Sequence, residues 1–256
     1  MVIPTPRTVT QLLSGLGRYS ILLFRAFKLP RDLKVRLYAH NLSEQMVRIG
    51  VESIPIVALS TAFLGGVAAV QSLYQLNNPL LPLTLVGSFT EQTVLLELAS
   101  LVIAFVLSGR VGARIAAELG TMRVTEQIDA LEAMGINSRS YLIVPRVAAG
   151  VLVFPMLYVI ACAVGLGAGA LVAAVSPELT IDTFWVGARG FFRRYDAFFG
   201  IIKSTIFGFL ITSISCYKGY YTTGGAEGVG SSTTQAAVLS CVFVLLADYV
   251  LAVILL

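Results

Sequence analysis

Charge is what this 256-residue chain has least of: Asp, Glu, Lys and Arg together make up 12% of it, against 57% hydrophobic residues. A soluble domain carries about one quarter charged residues, so the polar side chains needed to cover a fold of this size in water are missing. A disordered or nucleic-acid-coating chain is excluded on the same ground. Cysteine and histidine are scarce as well. Cys162, Cys216 and Cys241 all lie inside apolar runs without metal-ligand spacing, which supports neither a disulfide framework nor a zinc site and reads as small buried apolar side chains. His40 stands alone with no nucleophile near it in sequence, so hydrolytic chemistry has no candidate constellation and a solvated or capping histidine is expected. The phosphate-cradling pattern G-x-x-x-x-G-K-[ST] is absent. The Gly-rich run Gly224 to Gly230 follows no strand and carries no Lys, so it reads as a tight loop whose glycines permit positive φ. The opening MVIPTPRTVT has no charged start leading into an apolar core and a cleavage site, and no removable signal is expected. An enzyme is therefore the weaker reading.

What is present is apolar length. Crossing a hydrocarbon core about 30 Å thick takes roughly 20 apolar residues, and five stretches qualify: Ile54 to Leu76, Gln92 to Ala117, a helix within Tyr141 to Val175, Ala197 to Tyr217, and Thr233 to Leu256. The third is too long for one upright helix and too short for a hairpin of two, so a single tilted or kinked helix is expected, with Pro145 near its start and Pro155 as the bend. Thr8 to Phe27 and Arg31 to Gly50 mix apolar and charged residues and are divided at Pro30; they read as amphipathic helices in the interface. The fold class is an all-α integral membrane protein, with residues 1–50 as the interfacial region and 51–256 as the transmembrane domain.

The basic residues orient it. With the N-terminus inside, fourteen of the 18 Lys and Arg fall on the cytoplasmic side and three, Arg189, Arg193 and Arg194, outside, with Lys203 left within a span. That is a strong positive-inside asymmetry. Trp185, Phe191, Phe192, Tyr195, Phe198 and Phe199 read as an interface belt, and Glu91 as an interfacial charge. The glycines Gly165, Gly167 and Gly169 read as packing positions.

Between the second and third spans, Ile128, Leu131 and Met134 recur at helical spacing with Glu126, Asp129 and Glu132 on the other side, and Gly135 stops the pattern. A short amphipathic helix at the membrane surface suits a cytosolic docking role or a solvated connector.

The stretch ELGTMRVTEQIDALEAMG from Glu118 to Gly135, followed by Pro145 and Arg146, resembles the signature of the MlaE-type permeases, membrane subunits of the ABC transporters that work with MCE proteins on lipids. GYYTTGGAEGVG from Gly219 to Gly230, with Thr233, Thr234 and Asp248, is a second match, and the resemblance covers the whole chain. One departure is Ser231, where the family pattern carries a basic residue in many members. The resemblance implies a homodimer in the bacterial inner membrane, N-terminus cytoplasmic and C-terminus periplasmic, moving phospholipid to or from a periplasmic MCE protein and contributing to outer-membrane lipid asymmetry. It implies a cytosolic ABC ATPase under each half and a small cytosolic accessory subunit. ATP and Mg would sit in the ATPase, with no cofactor or metal in this chain and no nucleic acid among its partners. The helix Val124 to Gly135 would couple to the ATPase, as the EAA loop does in bacterial importers, although the later proline is not at the importer spacing. Coupling falls on Glu118, Gly120, Thr121 and Arg123 before the helix. Within it, the role falls on Glu126, Asp129, Ala130, Leu131, Met134 and Gly135.

Ionisable residues inside spans are costly and mark function by default. Glu97, Lys203 and Asp248 lie in three different spans with signs that compensate. Facing a common cavity, they could hold a lipid head group while apolar walls take the acyl chains; the competing reading is a salt-bridged lock between helices. Two other classes stay open: an ABC permease for another hydrophobic solute, and a structural anchor for an MCE protein.

Overall fold

A bilayer offers backbone N–H and C=O groups no water, so a spanning segment has to satisfy them within itself as a helix. The computed structural model describes residues 6–27, 35–76 and 81–255, and among them it holds helices and no strand. Five helices are long and apolar enough to cross a membrane: His40–Gln75, Thr84–Val124, Ser138–Val175, Arg194–Tyr220 and Gly225–Leu255. They are called here the first to the fifth span. Pro30, Arg31, Asn77 and Leu256, which bound several of the expected segments, lie outside the described residues.

Three boundaries differ from expectation. Helix Val35–Ile49 leads through a single 3-10 turn, Val51–Ser53, directly into helix Ile54–Gln75, so the first span reaches back to His40. Pro55 sits in the opening turn of Ile54–Gln75, where its missing N–H breaks no helical bond. The second span begins at Thr84 rather than Gln92, and two π turns, Val94–Leu98 and Ser108–Gly112, interrupt it. The fifth span begins at Gly225, so the Gly-rich run is the opening of a helix and not a loop. Within the run, positive φ is confined to Gly224 and Gly225, and at Gly228 a Cβ would stand 1.9 Å from the Thr223 carbonyl oxygen. The third span is one helix holding both Pro145 and Pro155. At 1.5 Å per residue its 38 residues measure about 57 Å, well beyond the hydrocarbon core.

Lipid tails are as apolar as leucine, so helices associate in a bilayer mainly through close packing. The third span is packed between the first and the fourth, and the fourth also meets the fifth and the inner half of the second. The first and third spans approach closely where both lack side chains: a Cβ on Gly65 would lie 2.2 Å from the Gly165 carbonyl oxygen. Gly169 packs against Thr90 and the Phe184 ring, whereas Gly167 faces open space.

Helix Pro6–Phe27 docks on the bundle through buried Leu22 and Ala26, with Ile21 and Phe24 exposed on its other side. At the opposite end, helix Ile181–Gly190 is capped by the Thr180 hydroxyl, which accepts from the Thr183 N–H. The aromatic set there is divided: Phe184 and Phe199 are buried, Trp185 is half-buried, and Phe191, Phe192, Tyr195 and Phe198 are exposed. A helical period of 3.6 turns part of any such run inward.

Candidate functional site

Glu97, Lys203 and Asp248 come together. Lys203 Nζ lies 2.8 Å from Glu97 Oε2 and 2.5 Å from Asp248 Oδ1, joining the second, fourth and fifth spans. The π turn matters here, because it sets Glu97 and the preceding carbonyls toward the neighbouring spans. Lys203 donates to the Leu96 carbonyl at 3.0 Å, and the Tyr158 hydroxyl of the third span donates to the Leu95 carbonyl at 2.9 Å. The Phe199 ring lies 5.1 Å from the ammonium. Lys203 is fully covered, while the side chain of Glu97 is 39% exposed. The ammonium donates hydrogen bonds to the Leu96 carbonyl and Glu97, and pairs with Asp248 by charge alone.

Glu91 is not the interfacial charge that its place near a span end indicated. It is 2% exposed, and neither carboxylate oxygen has a hydrogen-bond partner among the described residues. The eight residues Thr84 to Glu91 that extend the front of the second span carry it inside, and this extension packs on helix Ile181–Gly190, whose Gly187 lies against the Thr84 backbone.

The opposite, basic end of the bundle holds a larger ionic cluster centred on Glu118. Its Oε1 pairs with Arg48 at 3.4 Å and Arg114 at 3.2 Å, and its Oε2 with Arg146 at 3.2 Å. Arg114 also reaches Glu52 at 2.6 Å. Arg146 is buried and donates to the Leu142 carbonyl. One carboxylate thus ties the second span to the first and the third. The signal for it was partly visible in sequence, since Arg114 and Glu118 are four residues apart on one helix. Arg48 and Arg146 could not be placed beside them without the fold.

The expected coupling helix is shorter than its pattern, running Gln127–Ala133. Glu126 enters it with φ of 60°, a left-handed conformation uncommon in residues other than glycine. It closes in a Schellman arrangement, with the Gly135 N–H bonded to Glu132 and the Ile136 N–H to Leu131, at 3.0 Å each. Gly135 supplies the positive φ that this closure requires. Ile128 is fully buried and Leu131 half-buried, but Met134 points away and is 67% exposed. Of the three apolar positions, Met134 is thus left on the surface where a docked partner would reach it. Glu126, Asp129, Ala130 and Gly135 are exposed, as is Thr121 on the preceding helix. Arg123 pairs with Asp129 at 2.6 Å. Gly120, by contrast, is buried against Thr222, and Glu118 belongs to the ionic cluster.

Glu132 has a role that sequence reading missed. Its Oε1 accepts from the Ser138 hydroxyl at 2.6 Å and the Tyr220 hydroxyl at 3.1 Å, and those hydroxyls lie 2.9 Å apart. The Ser138 hydrogen bond, assisted by Tyr220, Arg139 and Arg123 and opposed by slight desolvation, holds the carboxyl below its ordinary value. This contact fastens the short helix to the start of the third span and the end of the fourth.

Two cavities lie near the end opposite the basic cluster. One, about 410 Å³, opens between Gln71, Gln75, Phe89 and Thr93. The other, about 520 Å³, is an apolar groove between the first and third spans, walled by Val70, Leu73, Leu171 and Val175.

The family profile described as Permease MlaE matches residues 42–254. A protein of Rickettsia bellii named as a probable ABC transporter permease is 35% identical over 245 residues, covering 96% of this chain and 93% of its own. The chloroplastic protein trigalactosyldiacylglycerol 1 of Arabidopsis thaliana is 36% identical over 86% of this chain and 63% of its own. The intermembrane phospholipid transport system permease protein MlaE of Haemophilus influenzae is 32% identical, with 96% and 93% covered.

Proposed function

The chain belongs to the MlaE permease family, and from that membership we propose that it is the membrane subunit through which an ATP-driven transporter moves phospholipid. It is a membrane-spanning ABC permease and itself non-catalytic. In this reading it works as a homodimer in a bacterial inner membrane, N-terminus cytoplasmic and C-terminus periplasmic. ABC ATPase subunits with ATP and Mg lie beneath it, with a small cytosolic accessory subunit. A periplasmic MCE protein exchanges lipid with it, which would maintain outer-membrane asymmetry.

The observation that carries this reading is the construction of helix Gln127–Ala133. One side is fixed to the bundle by Ile128 and the Glu132 contacts, while Asp129, Ala130 and Met134 are presented outward. A helix braced on one side and open on the other transmits a push from a docked partner to the third and fourth spans. The similarity to the Haemophilus phospholipid transport permease supports phospholipid as the cargo.

The Glu97, Lys203 and Asp248 cluster enters this reading as a head-group site reached past the exposed edge of Glu97. For Lys203 to take a phosphate it has to release one carboxylate, so the closed cluster corresponds to a state without lipid at this point. The coupling role is tested by reversing charge at the docking face. Glu126→Lys combined with Asp129→Lys should cut lipid-stimulated ATP hydrolysis of the reconstituted complex at least tenfold or release the ATPase on purification. Normal co-purification together with normal hydrolysis would overturn the assignment.

A further inference from the structure

The fourth span opens within the stretch FFRRYDAFF, Phe191 to Phe199, at the end of the bundle opposite the Glu118 cluster. Neither the intramembrane charges nor the coupling helix uses its outward face. Arg193 and Arg194 are both exposed. Among the described residues no carboxylate pairs with either guanidinium. Arg189 differs, because the Trp185 ring lies 5.9 Å from its guanidinium, close enough for a cation–π contact.

The local sequence offers these arginines an acid that the fold withholds. Asp196 follows Arg193 by three residues, a spacing that brings side chains together on a helix. It is instead 6% exposed and within electrostatic reach of Glu91 on the second span. The outward face of the stretch is therefore cationic only.

Apolar surface continues from it. Phe191 and Phe192 precede the arginines and Tyr195 follows them, all exposed. Arg194, Phe198 and Ile202 recur every fourth residue and so share one face of the fourth span, and Phe198 and Ile202 are exposed too. From Arg194 to Ile202 that face runs about 12 Å along the helix, at 1.5 Å per residue. A cation stands at its head and an apolar track lies below, which is the order of parts in a phospholipid.

Guanidinium groups match phosphate oxygens in geometry as well as in charge, and aromatic side chains settle at the depth of lipid head groups. A water-soluble protein could meet the arginines but not the track, which follows the span toward the hydrocarbon. We propose that Arg193 and Arg194 bind the phosphate of a phospholipid in the leaflet at this end of the bundle, with an acyl chain laid along Phe198 and Ile202. Lys203 is a different place: it is fully covered and lies about 14 Å further along the same helix. The test therefore requires no transport.

The full-length chain in detergent, titrated with phosphatidylglycerol and with diacylglycerol of the same acyl chains, is read by native mass spectrometry. Phosphatidylglycerol should be retained in preference to the lipid that lacks a phosphate. Arg193→Gln and Arg194→Gln should each weaken its retention about fivefold, and together about 25-fold, at the attraction expected of one basic residue near an anionic surface. Arg110→Gln, at the basic end of the bundle, should leave it unchanged. Circular dichroism confirms the helix content of each variant, and the single variants carry the test should the double one lose it. Equal retention of the two lipids, or undiminished retention by the folded variants, would overturn the site. Displacement of the lipid by millimolar inorganic phosphate would overturn the lipid source and assign the arginines to free phosphate. Undiminished retention together with loss of a protein subunit from the purified transporter would assign this face to that subunit instead.

Discussion

Lys203 lies between two carboxylates within the spans, whereas Glu118 lies among three guanidinium groups at the basic end of the bundle. Both clusters join helices by the same chemistry, with the signs exchanged. Their surroundings differ. Lys203 is wholly covered, in a region where water cannot replace a lost partner, while Arg48 and Arg114 are more than a third exposed. Charge in the first setting is bound to its partners, because an unpaired ion there carries a desolvation cost of several kcal/mol. In the second, water and salt share the work, and each exposed pair is worth about 0–1 kcal/mol. The lesson is that ion pairs in one chain cannot be weighed by distance alone.

The sharpest way to break that comparison is Lys203→Ala, which strands two carboxylates inside the spans. It should destabilise the protein by about 3–5 kcal/mol, read as a lower unfolding midpoint in detergent. Neutralising the whole cluster, with Lys203→Met, Glu97→Gln and Asp248→Asn, should restore most of that loss. A lone Lys203→Ala variant as stable as the parent would show that the cluster does not lock the helices.

Smaller effects are expected at the basic end. Arg146→Ala, which removes a buried donor from both Leu142 and Glu118, should cost about 1–3 kcal/mol. Arg114→Ala should cost no more than about 1 kcal/mol, and less as salt is raised. Equal midpoints for the two variants would erase the distinction between buried and exposed members of one cluster.

The smallest effect is one of pH. Because its partners hold the Glu132 carboxyl below the ordinary 4.5, the folded state binds its proton more weakly than the unfolded chain does. The contact therefore contributes stability above about pH 4.5, and that contribution fades as pH falls through the lowered value. Ser138→Ala should raise the carboxyl back toward 4.5, observable as a shifted NMR titration of Glu132. An unshifted titration would remove Ser138 as the cause.

Much of this was legible beforehand, for identifiable reasons. Hydropathy marks spans well because a bilayer imposes one length and one polarity on them. Glu97, Lys203 and Asp248 were conspicuous because charges inside such runs are rare. Glu91 was misjudged because its position depended on where the second span begins, and element boundaries carry little hydrophobic signal. That Ile128 packs inward while Met134 stays exposed could not be read from a helical period, which says nothing about the turn that closes the helix. Glu132 looked like one more solvated acid, since Ser138 follows it across a turn and Tyr220 lies 88 residues away.

By itself the sequence determined the solvent of this protein, its five spans, the family it resembles and the residues that could not be in the membrane by accident. Composition and motif spacing are local properties, and those conclusions need nothing more. Only the tertiary structure decided which charges meet. It set Lys203 against two carboxylates, drew Glu91 inside and gathered three arginines on Glu118. Each of those contacts joins residues on separate helices, and their relative placement follows from how closely glycines such as Gly65 and Gly165 let the helices approach.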